Sequence, residues 1–432
     1  MAESTGIHPS DERPWYWAYD GEPTMLLGAT DTDNLFQWAD GALSSQLERL
    51  ESAGGNYVRN TMSDRGSNDV HAFAAVRDGI FDLERWNGTY WDRFETFLEE
   101  THRRDIVVQL TLWDQHDFSG NNWENNPWNP FNNVNYGRYE SGIASGRDVF
   151  SGGARNRVVY PHLRCFVDRV LDISLEYDHV LYNVNNESWA GESWECHWAN
   201  RIRDRADEVG TSAHVTNMNI WPGQSVATVI RNPDCFSYVE VSQVNQHSKG
   251  YAGEEHWDAV QSWQNEIADE LGPRPLNNVK IYGTDEENPS AGSAQDAIER
   301  FWRQLIGGCA SARFHRPTAW GIGLDDRSGA QLRSARMLED AVDLFSIEPA
   351  NNLLGSRRPN DAFCAATPGC SYVVYFPGDQ SVTLDLSDSS DRFQLAWLYT
   401  GQSEWGHETD LEGGSTRKLL PPESRNTVAV IT

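Results

Sequence analysis

Residues 180–189 read VLYNVNNESW, and the reading of this stretch decides the fold. Val180, Tyr182 and Val184 alternate with Leu181, Asn183 and Asn185, the period-two pattern of a β-strand. Strict alternation sends the first set to one face, and Leu181, Asn183, Asn185 and Glu187 to the other. The strand then closes on Asn185, Asn186 and Glu187, so its polar groups gather at its carboxyl end. That is the expected pattern where the carboxyl ends of parallel strands surround a pocket.

The flanking sequence repeats the pattern. Three strand-like runs precede it: PTMLLGATDTD (23–33), NYVRNTM (56–62) and IVVQLTLWDQHD (106–117). Four follow: HVTNMNI (214–220), FSYVEVSQVNQH (236–247), VKIYGTDEEN (279–288) and ARFHRP (312–317). Helical spacing of apolar residues falls between them, over 91–103, 161–177, 193–209, 256–271, 294–306 and 330–345. Eight strands alternating with helices predict an α/β fold, a closed (β/α)8 TIM barrel over residues 1–345. A doubly wound open sheet is the rival, but it calls for a Gly-rich phosphate turn after an early strand, and the sequence has none. The polar stretch 118–157 exceeds an ordinary connection and is expected to be functional or mobile. After residue 346 short alternating runs separated by Gly, Pro, Asp and Ser turns predict a C-terminal all-β sandwich over 346–432.

If the barrel holds, each strand's closing residues face the pocket. They are Asp31 and Asp33, Arg59 and Asn60, Asp114 and His116, Asn186 and Glu187, Ser242 and Gln243, the run Asp285-Glu286-Glu287, and His315 with Arg316. A rim so rich in donors and acceptors suits a polyhydroxylated ligand. A partly desolvated Glu187 near a second carboxylate would have a raised pKa, as a general acid requires. Trp113, Trp123, Trp128, Trp189 and Trp221 lie near strand ends or in the long polar stretch, where sugar stacking and simple packing are both open readings.

The strand LYNVNNES resembles the fourth strand of the clan A retaining glycoside hydrolases, where an apolar strand ends in Asn-Glu. The resemblance implies that Glu187 is the acid/base, that Asn186 binds the sugar 2-hydroxyl, and that the nucleophile lies in the TDEE run about a hundred residues later. Arg59 looks like the arginine that the clan carries on its second strand. The entry YDGEPTMLLGATDTDNLFQW, with the small C-terminal β-module, is similar to apiosidase-like and related barrel families. The seventh strand offers three adjacent acids rather than one. Strand parity favours Glu286, the Thr-acid pattern favours Asp285, and Glu287 and Glu240 remain rivals. The implied substrate contacts are Asn186, Arg59, Asp31, Asp114, His116, Trp189, Gln243 and His315. The implied function is hydrolysis of O-glycosidic bonds in an oligo- or polysaccharide by a retaining two-carboxylate mechanism, with a carbohydrate as the partner and no cofactor or metal. Two other readings stay open: a non-catalytic carbohydrate-binding barrel, and a lyase or metal-dependent hydrolase built around Asp31, Asp114 and His116.

The bulk composition narrows the partners. A formal net charge of -29 repels nucleic acid and anionic membrane surfaces. Lysine occurs only at Lys249, Lys280 and Lys418. Acid excess with arginine as the main cation resembles proteins of salt-loving organisms, although a GC-rich genome would give the same arginine bias. No apolar run approaches the ~20 residues of a membrane span. The first residues contain no apolar core of a signal peptide, so the sequence as given reads as cytoplasmic, or as secreted if it is a trimmed form. Six cysteines form no Cys-x-x-Cys pair, and Cys364 and Cys370 bracket a turn that a disulfide could close.

Overall fold

The computed structural model describes residues 6–39, 41–152, 156–188, 190–250 and 252–432. They form two compact units, one of residues 6–8, 32–48 and 58–241, the other of residues 9–31, 49–57 and 242–432. Among the described residues no helix is long and apolar enough to cross a membrane.

The first unit is built on a four-stranded sheet in the order His214–Thr216, Val180–Asn186, Val107–Asp114, Tyr57–Thr61. Val180–Asn186 pairs in parallel with both of its neighbours, His214–Thr216 and Val107–Asp114, with Asp114 opposite Asn186 at the carboxyl end. Helices Gly88–His102, Tyr160–Ser174 and Glu192–Val209 alternate with these strands, as their apolar spacing predicts. Trp113 lies on the helix side of the sheet, its ring 5.4 Å from Phe166 and 5.7 Å from Trp198. Trp113 and Trp128 are both buried, which resolves them as packing residues. Two elements were not expected. One is an antiparallel hairpin, Phe73–Arg77 with Ile80–Trp86; the other is helix Pro222–Arg231. The stretch 118–157 is not a bare loop: it carries the short helices Gly120–Asn125, Arg138–Ser141 and Arg147–Gly152.

The strict alternation expected over 180–187 does not hold. The Tyr182 hydroxyl meets Ser174 Oγ of one helix at 2.9 Å, and the Asn185 amide donates to Glu195 of the next at 3.0 Å. Residues three apart on a regular strand point to opposite faces. Here both reach the helix side, so the alternation slips between them. Asn185 is thereby removed from the polar face where parity placed it, and Asn186 takes that face. Glu187 then leaves the strand with φ +50°, the left-handed region.

In the second unit, Leu26–Ala29 pairs in parallel with Ser311–Phe314. Gly28 has no alternative here, because a Cβ on it would sit 2.0 Å from the Tyr57 carbonyl oxygen. The strand expected over 279–288 is reduced to isolated bridges at Ile281 and Thr284. Gly283 explains the interruption: its φ is +143°, and the Ser293 carbonyl oxygen would lie 2.4 Å from any Cβ. The strands expected over 214–220 and 236–247 are likewise short, Val239–Glu240 passing at once into a 3-10 turn at Ser242–Asn245. Helix Ala294–Ile306 is locked at its start by a capping box between Ser293 and Asp296.

The last eighty residues form a larger antiparallel sheet around Phe363–Thr367, Ser371–Phe376, Thr427–Ile431 and Arg392–Tyr399, and a three-stranded sheet of Leu354–Gly355, Val382–Asp385 and Thr416–Leu419. Cys364, Val374, Phe376, Leu384, Leu419 and Ile431 from the two sheets share one buried core, which is the sandwich arrangement. Trp302 of helix Ala294–Ile306 stacks on Tyr375, and the Thr400 carbonyl accepts from Ser334 Oγ, so the sandwich is fixed to helices of its own unit. The hairpin register places Cys364 opposite Val374, and both Cys364 and Cys370 are free thiols.

Candidate active site

The carboxyl end of the first unit's sheet collects a continuous polar network. Arg59 is 1 % exposed, and its Nη1 lies 3.1 Å from Asp33 Oδ2. Its Nη2 donates to Asn186 Oδ1 at 2.9 Å. Asn186 Nδ2 in turn donates to Asp114 Oδ1 at 3.0 Å. An arginine can only donate and a carboxylate can only accept, so the orientation of the Asn186 amide is fixed from both sides. Asp114 Oδ1 also accepts the His116 backbone N–H at 3.0 Å, which starts the short 3-10 turn Gln115–Phe118. That turn carries the half-exposed His116 ring to the rim, where its Nε2 is 3.4 Å from Glu187 Oε2. Glu187 is the last member of the chain, its side chain largely covered but open on one side.

A second layer was not legible in the sequence. Arg65 Nη1 lies 2.9 Å from Asp114 Oδ2 and 2.5 Å from Asp117 Oδ1, and Ser63 Oγ donates to Asp117 at 2.6 Å. Burial alone would raise both carboxyls. At Asp114 the charges of Arg65, His116 and Arg59 outweigh it and hold the group below its ordinary value. At Asp117 burial prevails, with the neighbouring Asp114 and Asp64 adding to it against Arg65, and the carboxyl is raised. No spacing rule marks the SDRG run at 63–66. Glu195 was missed as well. It is fully buried and accepts from Asn185 and Asn217, each at 3.0 Å, behind the strand end. Glu240 belongs to a different level. Its Oε2 accepts from Gln109, five residues before Asp114 and so about 16 Å down the strand from the polar end.

The remaining expected contacts fall in the second unit. Gln243 Nε2 donates to the Tyr282 hydroxyl at 3.3 Å, and the Tyr282 ring packs edge-on against His315 at 5.3 Å and beside Trp320 at 5.2 Å. Gln243 and His315 are thus brought together around Tyr282. Asp31 serves its own unit by accepting the Leu324 N–H at 2.9 Å and pairing with Arg49 at 3.2 Å. Of the three adjacent acids, Asp285 is held by both Nη atoms of Arg327, at 2.8 and 2.7 Å. The hydrogen bonds from Arg327 keep its carboxyl below the ordinary range. Glu286 is exposed, and its backbone N–H is bonded to Thr284 Oγ1 at 3.1 Å. It lines an open cavity of about 680 Å³ together with Lys249, Thr284, Glu287, Asn288 and Ser293. Trp189 lies outside the described residues.

This architecture, a mixed α/β strand–helix alternation with polar groups at the carboxyl end of the strands and an antiparallel β-module at the C-terminus, is similar in fold to solved glycoside hydrolases. Three solved structures carry the comparison. A glycoside hydrolase family 5 structure from Bacteroides vulgatus superposes with a TM-score of 0.72 at 12% identity, covering 100% of this chain and 93% of its own. A second structure, described as a glycoside hydrolase, gives 0.71 at 11% identity, covering 99% and 97%. A family 5 mannosidase from Rhizomucor miehei, in complex with mannosyl-fructose, gives 0.56 at 12% identity, covering 80% of this chain and 99% of that one. These matches support the clan-level likeness of fold and do not carry the narrower one to apiosidase-like barrels. No family model matches the sequence, and no curated relative matches it.

Proposed function

We propose that the chain is a retaining glycoside hydrolase in which residues 1–345 make a closed (β/α)8 catalytic barrel and residues 346–432 a supporting sandwich. The observation that carries this reading is the strand end itself. Asn186 is oriented from both sides by Arg59 and Asp114, and Glu187 follows it at the rim beside His116. The shared fold with family 5 structures supports it.

Glu286 acts as nucleophile. Its carboxylate attacks the anomeric carbon while Glu187 gives its proton to the leaving glycosidic oxygen. Glu187, now ionised, removes a proton from water, whose oxygen displaces Glu286 and releases the sugar with retained configuration. A retaining pair works at a carboxylate separation of roughly 5–5.5 Å. Asn186, with its carbonyl engaged by Arg59, presents its amide edge to a sugar hydroxyl. His116 orients Glu187. Gln243 and His315 supply further contacts to substrate. Glu286 is preferred over Asp285 because Asp285 spends both oxygens on Arg327.

The test is hydrolysis of a panel of aryl glycosides and soluble polysaccharides, mannans included, by the wild type and by Glu187→Gln, Glu286→Gln and Asp285→Asn. Loss of general acid catalysis should cost roughly 10²–10⁴-fold in kcat at Glu187. The loss at Glu286 should be at least as large, and Asp285→Asn should stay near wild type. NMR of the first-formed anomer reads retention. Inversion, or an intact Glu286→Gln enzyme, would refute the assignment. So would a folded wild type inactive on the whole panel.

A further inference from the structure

At the opposite end of the strand that leads to Glu187 lies a group of side chains that the proposed reaction does not use. His102 ends helix Gly88–His102, and Asp178 and His179 immediately precede strand Val180–Asn186. One ligand atom from each of the three lies within 4.8 Å of the others. His102 Nδ1 is 3.8 Å from Asp178 Oδ1, and the two imidazole rings stack with centroids 5.1 Å apart. His102 and Asp178 are exposed, whereas His179 is fully buried.

The hydrogen bonds around Thr101 favour one tautomer of His179. The Thr101 hydroxyl lies 2.9 Å from the Phe97 carbonyl oxygen and 3.1 Å from that of Leu98, and it donates its proton there. Its oxygen therefore accepts from His179 Nε2, at 3.0 Å. With the Thr101 proton so placed, the ring proton is on Nε2 and Nδ1 is a bare lone pair. That Nδ1 is buried with no hydrogen-bond partner, a state that costs free energy unless something fills it. A cation does so, and an imidazole whose other nitrogen is held by a neighbouring acceptor is the usual form of a metal-bound histidine. The surroundings favour a positive ion: Glu95, Glu99 and Glu176 all act electrostatically on Tyr177, whose ring packs against both histidines.

We propose that His102, Asp178 and His179 form a divalent transition-metal site, with zinc as the fitting ion. Two imidazoles and one carboxylate supply three of zinc's four tetrahedral positions, and water takes the fourth. Bonds of about 2.0–2.1 Å imply donor separations near 3.3 Å. The exposed His102 and Asp178 side chains close the present gap by rotamer change, while His179 stays where Thr101 holds it. The site staples the end of one helix to the start of a central strand. Seven residues, about 23 Å, separate it from the Glu187 end, so its role is structural rather than catalytic.

The test uses the full chain without an affinity tag, stripped with EDTA. Titration with Co²⁺ reads the d–d absorption of a tetrahedral site, and equilibrium dialysis with Zn²⁺ reads stoichiometry. One equivalent is expected, with a rise in Tm on adding Zn²⁺. His102→Ala and Asp178→Asn change only exposed side chains, so both should fold with the metal-free Tm of the wild type. Each should bind at least ~10-fold more weakly and lose the Zn²⁺-dependent rise in Tm. Absence of stoichiometric binding by the wild type, or undiminished binding by His102→Ala, would overturn the proposal. Neither readout depends on glycosidase activity.

Discussion

The buried Glu195 carboxyl makes stability depend on pH in a direction that one substitution can isolate. Burial pushes this group up to about 7; the Asn185 and Asn217 amides oppose the rise and Glu192 adds to it. In the unfolded chain the same carboxyl titrates near 4.5. Below that value both states hold the proton and no difference arises. Between 4.5 and 7 the unfolded chain releases the proton while the folded chain retains it, so stability falls as pH rises. Above 7 the loss is complete. Roughly 2.5 pH units at about 1.36 kcal/mol each give a total of about 3 kcal/mol. Glu195→Gln keeps the shape and removes the titration. Its new amide finds an acceptor when Asn185 or Asn217 rotates, since the Oδ1 of each is buried without a hydrogen-bond partner. The variant should match the wild type near pH 4.5 and exceed it by about 3 kcal/mol at pH 8. Urea unfolding followed by tryptophan fluorescence suits the measurement, because Trp194 and Trp198 lie on the same helix. A wild-type-to-variant difference that stays constant from pH 4.5 to 8 would refute the burial argument.

Two further outcomes follow from the geometry. Arg59→Ala leaves Asp33 buried without this ion pair and frees the Asn186 carbonyl. It should cost roughly 3–5 kcal/mol in urea unfolding, and activity should be lost even at temperatures where the variant is folded. Gly28→Ala forces a Cβ into the Tyr57 carbonyl oxygen, a backbone atom that cannot move aside without shifting its strand. Thermal melts should show a loss of stability far beyond the roughly 0.5 kcal/mol of an ordinary surface substitution.

What the sequence made legible follows the range of the interactions involved. The strand at 180–186 and the helices at 160–174 and 294–306 announce themselves because their apolar spacing is local and strong. The C-terminal sandwich is legible for the same reason, its turns standing between short alternating runs. The strand expected over 279–288 is broken by Gly283, whose conformation answers a carbonyl ten residues away at Ser293, and apolar spacing carries no trace of that. The hairpin at 73–86 did leave a signal, the Asp78-Gly79 pair between alternating residues, which is the chemistry of a tight hairpin turn. Helix 222–231 left one too, a proline in its first turn. Both signals are short and weaker than the long apolar periodicities around them.

The candidate site divides in the same way, and the division has a physical cause. Asn186 and Glu187 can be read from one strand, but what gives them direction comes from four other segments. Asp33 and Arg59 lie on one side, Asp114 and Arg65 on the other. A buried polar group is tolerated only when its hydrogen bonds are met, so these residues fix one another. Asn186 is the hinge of the set, because it alone must accept on one edge and donate on the other. A leucine there would strip the Arg59 donor of its partner. An aspartate would set a second negative charge against Asp114. The slip that turns Asn185 toward Glu195 is what delivers Asn186 to this position, so the helix-side glutamate and the rim network are two halves of one arrangement. Alternation read along a single strand could not reveal it, since the deviation is imposed by partners on helix 192–209 and on the neighbouring strands.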